Sequence, residues 1–102
     1  MDDFTAPHFE REHGFTEADW LRCLPGAVGP HALSLAAAPH AEVLLQAGGR
    51  LSLYWQVLPH RQIALMRMPR LKVCYAFSAD VPAAERHAFM RYFDLYTRRG
   101  GG

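Results

Sequence analysis

The chain is 102 residues long, 50% hydrophobic and 21% charged, with a formal net charge of +1. That composition suits one ordinary soluble globular domain, which at this length buries roughly 60 to 70% of its unfolded surface and needs no metal or disulfide to hold it. The near-zero balance also argues against nucleic acid as partner, because domains that bind it are usually strongly basic overall.

Residues 1–14 show no period and end in Gly14, so they read as a flexible N-terminal arm ahead of a single α+β domain over 15–102. The arm opens with acidic residues where a secretory leader needs positive charge, and it has no apolar core segment. No later apolar run reaches the length of a membrane span, so the expected location is the cytoplasm, with no membrane partner.

The first predicted element is a short helix in Phe15-Thr-Glu-Ala-Asp-Trp-Leu-Arg-Cys-Leu24. The Thr16 hydroxyl suits the N-cap and Asp19 sits three residues on, where a capping-box partner stands. Phe15 before the cap and Trp20 after it form a hydrophobic staple, Leu21 and Leu24 continue the apolar face, and Pro25-Gly26 stops the helix.

After Gly29-Pro30 the pattern changes to a period of two. Apolar runs over 32–37, 42–46, 50–58, 62–67 and 71–78 predict strands, and Pro39-His40, Gly48-Gly49, Pro59-His60 and Met68-Pro69 predict the turns between them. Connections this short leave no room for crossover helices, so the sheet is expected to be an antiparallel meander of four to five strands.

From Asp80 the pattern predicts a long C-terminal helix, with Asp80 as cap, Pro82 in the first turn and Glu85 near the positive end of the dipole. Ala88, Phe89, Tyr92, Phe93 and Tyr96 gather on one face, which is expected to lie on the sheet as core. Arg98, Arg99 and Gly100 have the chemistry of a helix end. Both helices are expected on one sheet face. This order of helix, sheet and helix resembles one half of the TATA-binding-protein fold in topology, which implies a fold and no DNA binding. The tail Arg98-Arg-Gly-Gly-Gly102 resembles the C-terminus of ubiquitin-like modifiers and small sulfur-carrier proteins, a resemblance that implies an activated terminal glycine.

Chemistry-bearing residues are scattered. Cys23 and Cys74 form no metal or disulfide pattern, and the six histidines form no ligand pair, so no metal and no cofactor is expected. No nucleophile, base and orienting group can be placed together by spacing, so catalytic residues are not assigned. Residues 1–45 carry two basic against seven acidic side chains and residues 46–102 nine against three, an asymmetry expected to close the halves onto each other.

The remaining signal is the sheet face left bare by the helices. Alternation assigns Leu71, Val73, Tyr75 and Phe77 to the core and turns Tyr54, Gln56, Arg70 and Lys72 outward, and Met66 and Arg67 are added to this face as candidates. Met, Tyr and Arg are typical of protein contacts, so the expected function is protein association, as a homodimer or with another protein, through this face. The alternatives are a face that binds an anionic small ligand or single-stranded nucleic acid, with Tyr54 stacking and the cations on phosphate, or a small enzyme with a pocket near His60.

Overall fold

The computed structural model describes residues 6–100. They form an α+β domain with a five-stranded antiparallel sheet and two helices: β1 (His8–His13), α1 (Glu17–Ala27), β2 (Ala32–Ala37), β3 (His40–Leu44), β4 (Arg50–Ile63), β5 (Met66–Phe77) and α2 (Ala83–Gly100). The sheet order is β1-β5-β4-β3-β2, so β2 to β5 are the expected meander and β1 closes on its far side. Among the described residues no helix is long and apolar enough to cross a membrane.

Residues 8–13 of the expected flexible arm are an edge strand. They pair with β5 from His8↔Ala76 to His13↔Leu71, and the Phe77 N–H donates to the Pro7 carbonyl at 2.8 Å. The strand alternates, but two of its three inward positions, Arg11 and His13, are polar, so its hydrophobic signal is Phe9 alone. Phe9 stacks on Tyr75 with ring centroids 4.8 Å apart, Arg11 pairs with Asp94 of α2, and His13 Nε2 lies 2.8 Å from the Tyr75 hydroxyl. A strand therefore precedes the first helix, and the helix-first topology does not hold.

The α1 start is as expected: Thr16 Oγ1 accepts from the Asp19 N–H at 3.1 Å, and Phe15 and Trp20 approach to 6.2 Å. Asp19 pairs with Arg22 rather than completing a capping box. Pro25 does not stop the helix, which continues to Ala27 with Val28 as C-cap. A proline in the last turn gives up one N–H but keeps a helical φ, and the Val28 N–H still reaches Leu24. Gly26 lets α2 cross close by, since a Cβ there would overlap the Tyr96 ring.

The core joins the inward positions of the sheet to both helices. Leu51, Leu53 and Trp55 of β4 and Leu71, Val73, Tyr75 and Phe77 of β5 are buried with Trp20, Leu24, Phe89, Met90 and Phe93. Edge-to-face contacts fix the layers, with Trp20 on Trp55 and Phe93 on Tyr75 both at 5.8 Å. The α2 stripe is shifted from expectation: Phe89, Met90, Phe93 and Thr97 are buried, whereas Tyr92 and Tyr96 are exposed and stack on each other at 6.4 Å. They lie over α1, against Gly29 and Gly26, rather than over the sheet. Asp80 accepts from Ser78 Oγ, and the first α2 amides, Glu85 and Arg86, reach the Pro82 carbonyl.

The largest departure lies between residues 57 and 70. Pro59-His60 and Met68-Pro69 are not turns, and 62–67 is not a separate strand. β4 and β5 run on as one long hairpin that turns at Ala64-Leu65, between the pair Ile63↔Met66. The ladder shifts between Leu58↔Arg70 and Arg61↔Met68, so Pro59 and His60 form a bulge opposite Pro69. Prolines are tolerated there because β3 ends opposite Tyr54 and β1 opposite Leu71, so beyond these points each strand has one open edge that asks for no N–H.

Candidate association surface

Pairing across the sheet sets the bare face out in rows. One row runs His40, Tyr54, Cys74 and Glu10; the next Gln56, Lys72 and Glu12; then Leu58 with Arg70, Arg61 with Met68, and Ile63 with Met66. Tyr54, Gln56, Met66, Arg70 and Lys72 thus share one continuous surface. Arg67 does not: it pairs with Gln62 and, by alternation, turns to the opposite side of the hairpin from Met66 and Met68.

β1 adds carboxylates to this surface that the arm reading left out. Arg70 donates to both Glu12 oxygens, at 2.9 and 3.0 Å, and Arg61 lies 3.7 Å from the same carboxylate. The bond from Arg70 holds the Glu12 carboxyl below its ordinary range. The acidic N-terminal part of the chain thereby meets the basic part across the β1–β5 ladder. Cys74 donates to Glu10 at 3.7 Å, and burial followed by the Glu10 charge pushes its thiol up, so it is a neutral thiol rather than a nucleophilic thiolate. Glu42 accepts from Ser52 at 2.8 Å and lies 2.7 Å from His40 Nε2, while its second oxygen is buried without a partner among the described residues.

The apolar content concentrates at the hairpin. Leu65 is 97% exposed, Met66 64% and Ile63 54%, with Met68 and Val57 also exposed. Sequence reading missed Leu65 and Ile63 because it placed them in a paired strand. His60 is exposed in the bulge, and the cavities at the His13–Asp94 corner, beside α2 and at the Gly48–Gly49 turn are lined by other residues.

No family model, curated protein or solved structure matches the chain. The functional reading therefore rests on this surface alone. α2 runs through Gly100, so a helix rather than a strand leads into the glycine tail, and Gly101 and Gly102 lie outside the described residues. Cys23 is buried and free, Cys74 half-buried and free.

Proposed function

We propose that the protein is a self-association module in which the projecting hairpin of one copy lies across the outer sheet face of a second. The observation that carries this reading is the cluster Ile63, Leu65, Met66 and Met68, exposed on a two-stranded extension with two open backbone edges. A hairpin of two strands is at best marginally stable in water by itself, and exposed apolar side chains on one favour a partner. Charge supports a second copy as that partner. Residues 57–70 hold Arg61, Arg67 and Arg70 and no acid; Arg70 and Arg61 meet Glu12 of the same chain, so Arg67 is the cation such an arm brings to a second copy. The body's outer face offers Glu10 to such an arm, and a two-fold contact would use each pairing twice. The anionic-ligand reading is weakened by the same geometry, since Glu12 already neutralises Arg70 and approaches Arg61.

The test is the mass in solution of the native chain and of Tyr54→Glu and Met66→Glu, by size exclusion with light scattering. The reading expects twice the 11.5 kDa chain mass for the native protein and a single chain for each folded variant. A native protein that stays at one chain mass at high micromolar concentration would overturn it.

A further inference from the structure

A second feature lies away from the sheet face. Where the loop after α1, the end of β3 and the first turns of α2 meet, they enclose an open cavity of about 450 Å³, within the range of small-ligand pockets. Its lining is mostly apolar, with Ala84 and Ala88 on α2 leaving room that longer side chains would fill. Three rings border it: His31, Phe89 and Tyr92. Phe89 is buried, and its ring lies 5.5 Å from His31. The His31 ring is fixed by the Gln46 N–H, which donates to Nδ1 at 3.0 Å. An Nδ1 that accepts leaves Nε2–H as the donor of the ring. Among the lining residues the one acidic side chain is the carboxylate of Glu85. It is half-buried in the first turn of α2.

A carboxylate beside aromatic faces in a small apolar hollow is the chemistry that recognises an organic ammonium ion: the charge is met by the carboxylate and by ring quadrupoles, and the hydrocarbon body by the hollow. An anion would meet Glu85 as a like charge, and a neutral apolar guest would leave that carboxylate partly desolvated without return. We infer that this cavity is a binding site for a small protonated amine with an aromatic or apolar body, with Glu85 as the ion partner and Phe89, Tyr92 and His31 as its walls. The site shares no residue with the hairpin surface, so it stands or falls independently of self-association.

The experiment is a titration of the full chain with phenethylammonium chloride, followed through its backbone amide NMR spectrum, with sodium phenylacetate as the charge-reversed probe of similar size. Saturable shifts confined to the amides around His31, Gln46 and Phe89 are expected, at a dissociation constant in about the millimolar range for so small a probe. Phenylacetate should bind at least about tenfold more weakly. Glu85→Gln should weaken the amine by about tenfold, and Ala88→Leu, on an exposed helical position, should abolish the shifts by filling the hollow while the rest of the spectrum is unchanged. Non-saturable shifts, equal response to both probes, or full affinity in Glu85→Gln would each overturn the assignment.

Discussion

The two ends of the β4–β5 hairpin carry similar side chains to opposite fates. At the sheet end, Leu51, Leu53, Trp55, Leu71, Val73 and Tyr75 are sealed beneath the helices. At the far end, Ile63, Leu65, Met66 and Met68 stand in solvent, although the ladder between the strands continues through both halves. What differs is the company. β1 and β3 flank the strands only as far as Leu71 and Tyr54, and beyond them no described element covers either side. Backbone pairing alone therefore does not bury a strand; the layer above it and the neighbours beside it do.

Substitutions should separate the two halves. The largest effect is expected in the layer that seals the sheet end: Phe93→Ala should cost about 3–5 kcal/mol of unfolding free energy in a urea titration. Leu65→Ala at the far end should stay within about 0.5 kcal/mol of the native monomer's stability. Equal losses at both sites would erase the distinction.

A pH dependence should also belong to the sheet end. Burial, and then the Arg11 charge, lower the His13 pKa to about 4, with Asp94 opposing them. The folded state holds this imidazole neutral against Tyr75, while the unfolded chain protonates near 6.5. Unfolded molecules thus bind the extra proton between about pH 4 and 6.5, so stability should fall as pH drops through that window, by on the order of 3 kcal/mol. His13→Gln should flatten the slope in urea titrations across those pH values. An unchanged slope would place the acid sensitivity elsewhere.

At the far end the expected effect is on association rather than folding. Leu65→Glu with Met66→Glu should weaken self-association at least about 100-fold, about 2.7 kcal/mol, with the monomer's melting unchanged. Sedimentation equilibrium checks this, and a persistent dimer would remove the hairpin tip from the contact. The smallest effect concerns the turn itself. Ala64 has φ 55°, a left-handed conformation that suits glycine, so Ala64→Gly should relieve about 1 kcal/mol or less locally. Slower amide exchange at Ile63 and Met66 would report it.

The sheet end was the legible half of the sequence. Strict alternation in 51–55 and 71–77 identified the inward residues, though the same reading extended to Val57, which is exposed, and Thr16, the Phe15–Trp20 staple and Gly48-Gly49 marked real boundaries, with both glycines at positive φ. β1 was not legible, because Arg11 and His13 face inward on the strength of partners, Asp94 and Tyr75, more than sixty residues away in sequence. The hairpin was misread because proline is a breaker only where an N–H is required, and whether an edge is open cannot be judged from local sequence. The α2 stripe slipped by one position for a similar reason: Tyr92 and Tyr96 look like core by period, but α1 draws them to its own side. Of the candidate surface, five residues came out together and Arg67 did not, since β5 runs without a break from Met66 to Phe77 and places its odd positions on the opposite side from Met66, Arg70 and Lys72.

The most direct test is amide hydrogen exchange followed by mass spectrometry at rising protein concentration, read separately over residues 57–70 and 71–77. Self-association through the hairpin requires that 71–77 be protected at every concentration, while protection of 57–70 climbs as copies meet. Rapid exchange over 57–70 that does not change from the lowest to the highest concentration would contradict it.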